Sequence, residues 1–331
     1  MDLDSQLPVW YKPISHSYLR RALWHDYKSP CNYMITLSKH PDQSNLSHLD
    51  TGMLTMPEPI YPKLLPTGMA ISRAFKITIA KYPYIRLLKY VIMPDHMHFI
   101  LSVTKETPEH LGFYINSIKS ACTQENWMRN ANCTICHAPV FAEGYNDRIL
   151  TQANQLNNWF HYISENPKRL LIKQSYPEYF QHAQIQIKHD ESHHIYGNHF
   201  LLSNPQRFWV KYSSAFSIKQ KEEWRKRCIE EIEKESVIVS AFIHPEEKKI
   251  LESAIASNGK IIQIVENPLL HKEKPEKKRF YLCAEGRFLI ISLNQEIIKY
   301  DQHMTKPRAI LLNELAKKIT CVPNENLRII H

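Results

Sequence analysis

Two β-rich runs, Tyr84–Met93 and His96–Val103, are separated only by Pro94-Asp95, and no other feature restricts the folding of this chain so tightly. Proline presets φ and aspartate tolerates turn geometry, so the two runs are expected to form an antiparallel pair around that dipeptide. On a strand, residues i and i+2 share a face. His96 and His98 therefore project together while Met97 points the other way.

The elements around this pair follow from period and punctuation. Cys31–Leu37 reads as a strand with Tyr33 and Ile35 on one face. Prolines at 41, 57, 59, 62 and 66 mark residues 38–66 as a loop without regular structure. Ala70–Tyr82 has the apolar spacing of a helix ending before Pro83, and Thr107–Arg129 reads as a second helix with Pro108 in its first turn. A short strand is expected next, then a helix over Gln152–Asn166 with Leu156, Trp159, Phe160 and Ile163 at helical spacing, stopped by Pro167. This order implies an α+β fold, a ferredoxin-like antiparallel sheet with helices on one face.

The chain has 331 residues, more than one compact core usually needs. Residues 1–180 form the expected first domain, 181–235 a linker with a charged helix, and 236–331 a smaller C-terminal α/β domain. In the last, Val237–Phe242, Pro245–Ser257 and Lys260–Val265 read as strand, helix and strand, followed by a strand at Phe288–Leu293 and a helix at Arg308–Ile319.

Charge narrows the partners. Forty-two Lys and Arg against 33 Asp and Glu leave +9, which favours a polyanion. Seven glycines are too few for Gly-rich repeats or phosphate-loop arrays. No stretch approaches the ~18 apolar residues of a membrane span. Met1–Trp10, with Asp2 and Asp4, lacks the apolar run of an export signal, and the seven scattered cysteines read as reduced thiols of a cytoplasmic protein.

Two imidazoles side by side on a strand can hold a divalent metal ion and leave positions open for a phosphate. Eighteen histidines give about one His-x-His by chance, so the bare triplet has no weight without its place on an apolar strand after a turn. In His161-Tyr162-Ile163-Ser164-Glu165-Asn166-Pro167, Tyr162 and Asn166 are i and i+4 and lie ~5.4 Å apart along one helix face. If that face meets the histidine strand, a nucleophile joins a His-His-Asn metal site; otherwise both are ordinary core and helix-end residues. Basic side chains for the phosphates of a nucleic acid are sought on the first two helices, at Arg73, Lys76, Lys81, Lys119 and Arg129.

Met93-Pro94-Asp95-His96-Met97-His98-Phe99-Ile100-Leu101 resembles the histidine–hydrophobic–histidine (HUH) motif of single-tyrosine transposases, particularly the REP-associated tyrosine transposases. Tyr162-Ile163-Ser164-Glu165-Asn166-Pro167 resembles their nucleophile helix, and Phe141–Arg148 the stretch preceding it; the likeness covers roughly residues 25–175. It implies that His96, His98 and Asn166 bind Mg²⁺ or Mn²⁺. It implies also that Tyr162 attacks a phosphate in single-stranded DNA beside a hairpin repeat, leaving a 5′-phosphotyrosine link and a free 3′-OH. Relatives include helix-exchanging dimers and monomers, so a homodimer is one of two expected states. A non-catalytic protein binding structured nucleic acid is the alternative function.

Several other residues compete. Tyr145 is the rival nucleophile, but Ile149 stands where an amide ligand belongs. Asp95 reads as a turn residue. Cys133-Thr134-Ile135-Cys136-His137 matches a covalent haem pattern, though without the export signal or second Cys pair that haem or zinc would need. His193, His194 and His199 read as a polar loop. The C-terminal domain loosely resembles the nucleotide-binding-like domain of DNA-processing proteins. It lacks G-x-G-x-x-G, and Ser240 with the following helix N-terminus serves either an anion or stability alone.

Overall fold

The Pro94-Asp95 dipeptide makes a two-residue hairpin closed by Met93 N–H donating to the His96 carbonyl at 2.8 Å. It is seen in a computed structural model that describes residues 22, 24–56, 59–129, 138–152, 155–187, 192–266, 278–293 and 304–330. Two compact units divide the chain, Met1–Leu171 and Ile172–His331.

The first unit contains β1 (Cys31–Ser38), β2 (Ser47–His48), β3 (Lys63–Leu64), α1 (Pro66–Ala80), β4 (Ile85–Ile92), β5 (His96–Val103), α2 (Leu111–Arg129) and β6 (Asn146–Ile149). The helix α3 (Gln155–Ser175) follows. The main sheet is antiparallel in the order β4-β5-β1-β6. The residues expected to be wholly irregular between 38 and 66 carry the small β2–β3 ladder and a 3-10 turn at Thr51–Thr55, capped by the Asp50 side chain.

Strand alternation sorts this sheet into two faces. Tyr33, Ile35, Leu37, Met97, Phe99 and Leu101 are fully buried and pack on α1 and α2 through Ile71, Phe75, Ile115 and Ile118. Met34, Val91 and Ile100 face the other way, into a cluster with Trp159, Ile163 and Leu171 of α3. Helices thus cover both faces of the sheet, not one. An amphipathic helix pattern reports that an apolar stripe needs a partner, and either face of the sheet supplies one.

Two helix ends also differ from expectation. α2 starts at Leu111 because Thr107 turns back to Lys28, its N–H donating to the Lys28 carbonyl at 2.9 Å. α3 continues through Pro167 to Ser175. Proline inside a helix costs about 3 kcal/mol. Here Pro167 is itself buried, and Leu170 and Leu171 extend the stripe begun by Trp159 and Ile163, so apolar burial offsets the lost hydrogen bond.

The second unit contains β7 (His182–Ile187), β8 (Ser192–Gly197), β9 (Arg207–Trp209), α4 (Ile218–Glu233), β10 (Val237–Ser240), α5 (Pro245–Ala256), β11 (Lys260–Val265), α6 (Lys278–Ala284), β12 (Phe288–Ser292), α7 (Lys306–Cys321) and β13 (Leu327–Ile330). Its sheet runs β13-β7-β8-β12-β11-β10-β9, parallel from β12 to β9 and antiparallel over the rest. The segment expected as a linker therefore supplies three strands and α4. α4, α5 and α6 cover one face and α7 the other. α4 buries Cys228 and Ile232 and exposes a charged face laced by Lys219–Glu223 and Lys226–Glu230 pairs.

His193 and His199 lie not in a polar loop but buried, on β8 and on a 3-10 turn, with His193 Nδ1 at 3.2 Å from the Ser292 carbonyl oxygen. Among the described residues no helix is long and apolar enough to cross a membrane. The Cys133–His137 pattern lies outside the described residues.

The N-terminus of α5 is closed by its own carboxylate. Glu247, fully buried, accepts from Ile243 N–H (2.9 Å), His244 N–H (3.2 Å) and Tyr212 N–H (2.9 Å), with Lys211 Nζ at 3.7 Å. Ser240 Oγ accepts from Phe242 N–H at 3.0 Å. The helix end that could have held an anion is filled from within, which favours the stability reading of Ser240. Glu247→Ala is expected to destabilise the unit by about 3 kcal/mol or more, since three backbone donors lose their acceptor. Glu247→Gln, keeping one acceptor oxygen, should cost less; equal urea midpoints for wild type and Glu247→Ala would contradict the assignment.

Candidate active site

The histidine strand is fixed at its start by backbone bonds. Lys39 N–H donates to the Asp95 carbonyl at 2.8 Å, and Leu46 N–H to the Pro94 carbonyl at 2.9 Å. From this anchored turn β5 sends His96 and His98 to the α3 face, with ring centroids 4.5 Å apart. Tyr162 comes from α3, and its ring stands 5.5 Å from that of His98. Residues 64 positions apart in the chain are thus neighbours in space, and the Tyr162 side of α3 meets His98.

Each imidazole has one nitrogen held by an oxygen. His96 Nδ1 lies 2.6 Å from Asp95 Oδ1, and His98 Nδ1 lies 2.8 Å from Oγ1 of Thr36, its cross-strand neighbour on β1. When Nδ1 carries the proton, Nε2 keeps its lone pair, the arrangement usual for a metal-binding histidine. Asp95 thus holds His96 in addition to shaping the turn. The sequence signal for this, a carboxylate directly before the first histidine, is weak because Pro-Asp is common in turns.

Asn166, the third donor expected from the sequence, lies on α3 four residues beyond Tyr162. Its Nδ2 is buried without a hydrogen-bond partner. The two amide positions exchange by a flip, so an unsatisfied buried amide of this kind suits a ligand-binding role. Among the described residues no group of three His, Cys, Asp or Glu side chains could hold a metal ion. By type alone, two imidazoles and an amide oxygen are neutral donors of the kind that suits a divalent cation.

Tyr145, the rival nucleophile, packs against the core beneath α1 and α2, on the sheet face opposite the histidines. The five basic residues sought for DNA are likewise on α1 and α2. Arg73 and Arg129 share Glu125, at 3.8 and 2.7 Å. Lys76 lies 5.4 Å from the Tyr90 ring, and Lys81 caps α1. Lys119 is half-buried, its pKa lowered by desolvation, and donates to the carbonyls of Ala142 (2.6 Å) and Gly144 (3.0 Å). It anchors the loop before β6. None of the five is brought to the histidine face.

That face has other cations. Arg148 is exposed on β6, and Arg169 lies 5.8 Å from the Tyr162 ring. Lys89 of β4 donates to Ser164 Oγ and lies 5.8 Å from the Phe160 ring, tying α3 to the sheet. Arg148 ends the Phe141–Arg148 stretch noted in the sequence, and Arg169 stands two helical turns beyond Tyr162 on α3, a spacing concealed by the expected helix stop at Pro167.

No family model matches this chain, and no curated protein matches it. Among solved structures, it is similar to a REP-associated tyrosine transposase bound to a REP hairpin, with 14% identity over 45% of this chain and 72% of that one, at a TM-score of 0.31. A protein assigned as a transposase from Deinococcus radiodurans R1 gives 13% identity over 44% of this chain and 95% of that one, at a TM-score of 0.27. Similarity at this level establishes neither a shared fold nor a shared activity.

Burial sets the protonation of His98. Desolvation first, then the charges of His96 and Arg148, push its pKa down to about 3. An unfolded histidine titrates near ~6.5, so between roughly pH 6.5 and 3 the unfolded chain holds a proton that the folded one refuses. Stability should therefore fall on acidification. In chelator, this site is expected to cost about 2 kcal/mol at pH 5 relative to pH 7. Urea unfolding of wild type and His98→Gln at both pH values checks this; identical pH dependence would contradict it.

Proposed function

We propose that the first unit is a metal-assisted single-tyrosine transposase or endonuclease. It cleaves and rejoins single-stranded DNA beside hairpin repeats in the cytoplasm, with its four-stranded sheet serving as the ferredoxin-like core of an HUH enzyme. The observation that carries the reading is the meeting of Tyr162 with His98, 5.5 Å ring to ring, beside His96. The sequence resemblance of the two motifs supports it independently, as does the excess of basic residues.

His96 and His98 through Nε2, and Asn166 through its amide oxygen, would hold Mg²⁺ or Mn²⁺, which supplies positive charge to a phosphate oxygen. Imidazole donors suit Mn²⁺ better than Mg²⁺, whose preference is for oxygen. Tyr162 acts as nucleophile. Its hydroxyl oxygen bonds to phosphorus, the bond from phosphorus to the 3′ oxygen breaks, and that oxygen departs as a 3′-OH. A free tyrosine has pKa ~10, so the phenol proton is lost as the new bond forms. The covalent link conserves a phosphoester for rejoining when a 3′-OH attacks in the reverse sense.

Incubation with Mn²⁺ and pooled 5′- and 3′-labelled hairpin oligonucleotides, followed by denaturing gels, tests the reading. A protein–DNA adduct is expected with wild type and Tyr145→Phe, and none with Tyr162→Phe. Cleavage without adduct would indicate a hydrolase, and hairpin binding without cleavage a binding module. Loss only in Tyr145→Phe would move the nucleophile.

The carboxylate behind His96 gives a second test. Asp95→Ala should weaken Mn²⁺ binding by roughly 10- to 100-fold, as removal of a ligand's hydrogen-bond partner typically does. Titration calorimetry measures it, and unchanged affinity would show that Asp95 only shapes the turn.

A further inference from the structure

The DNA-binding residues sought in the sequence lie on α1 and α2, across the sheet from His96 and His98. If Tyr162 reacts with a phosphate, cations close to that phosphate are needed elsewhere. Strand register identifies one. Asn146 of β6 pairs with Thr36 of β1, which pairs with His98 of β5, so these three share one cross-strand row and one face. Arg148 pairs with Met34, and Met34 with Ile100, so Arg148 occupies the next row of that same face.

At ~4.8 Å per strand spacing and ~3.4 Å per residue, the Arg148 backbone is about 12 Å from that of His98. A long guanidinium side chain can close much of that gap. Arg148 is exposed and pairs with no carboxylate among the described residues. From the other side, Arg169 on α3 lies 5.8 Å from the Tyr162 ring.

Resting on the reading above, we propose that Arg148 and Arg169 grip the phosphate presented to Tyr162, so that the DNA strand crosses the histidine face between β6 and α3. Arginine fits this task because its planar fork gives paired hydrogen bonds to phosphate oxygens and stays charged at any working pH.

The test is binding, which does not require chemistry. Fluorescence anisotropy of labelled single-stranded and hairpin oligonucleotides would be measured across salt concentrations with wild type, Arg148→Ala, Arg148→Lys, Arg169→Ala and the pair Arg73→Ala/Lys76→Ala. Thermal melting would verify that each variant is folded. Arg148→Ala and Arg169→Ala are each expected to weaken binding about tenfold or more, as loss of a charged hydrogen bond does. Each should also flatten the salt dependence by roughly 0.7 in log–log slope, the value for one phosphate contact on a single strand. Arg148→Lys should restore the slope and recover only part of the affinity.

Unchanged affinity and slope in both arginine variants, with wild type still binding DNA and forming the Tyr162 adduct, would overturn this proposal alone. Loss confined to the Arg73/Lys76 pair would overturn it too, moving the strand to the α1 and α2 face. Wild type that neither binds nor forms an adduct would sink the functional reading and this proposal with it.

Discussion

The two-residue period of β5 is the constraint on which the first unit depends. Met97, Phe99 and Leu101 are fully buried against α1 and α2, and that burial fixes which face the residues between them must take. A one-residue slip would turn three large apolar side chains toward α3 and both histidines into the core. The same alternation thus sets the core and the chemistry. The Pro94-Asp95 turn, held by Lys39 and Leu46, prevents the register from drifting at the end where His96 begins.

Holding a histidine in such a place has a cost that the surroundings explain. His98 is only 7% exposed and gives up much of its hydration. One nitrogen recovers a partner in Thr36, and the Tyr162 ring stands 5.5 Å from the imidazole. α3 must be held firmly for this to work, and its apolar stripe runs on past Pro167 for that purpose. Lys89 adds a polar tie through Ser164, two residues beyond the tyrosine. Positioning of the tyrosine therefore comes from burial along the whole helix, not from one contact.

What could be read from the sequence was mostly local. The hairpin, the helices α1 and α2, and the strand–helix–strand run from β10 to β11 are each announced within about ten residues by turn chemistry or period. The approach of Tyr162 to the His96–His98 pair was legible because two short motifs carried those residues. The docking face of α3 was not, since its pattern is the same whichever sheet face it covers. Arg148 was passed over because only strand register brings it to the histidine face, and Arg169 because the helix was expected to stop at Pro167. The 181–235 segment was misread for a different cause. Its high histidine content suggested a polar loop, although Ala183, Ile185 and Ile187 alternate as a half-buried strand should.

A comparison between the two units separates a polar group kept for structure from one kept for chemistry. In the second unit the polar residues at the end of β10 are satisfied internally, Ser240 by Phe242 N–H and Glu247 by three backbone donors. Nothing is left over for a ligand, and the helix end is electrostatically complete. In the first unit Asn166 Nδ2 is buried without a partner, and each histidine is held through Nδ1. Buried polar groups are almost always paired, so each one left without a partner calls for a separate explanation. By that criterion the end of α5 belongs to the scaffold, whereas Asn166 Nδ2, like Trp209 Nε1 and Asn313 Oδ1 of the second unit, is a buried polar atom left without a partner. What sets the α3 face of the first sheet apart is the Tyr162 ring standing 5.5 Å from that of His98.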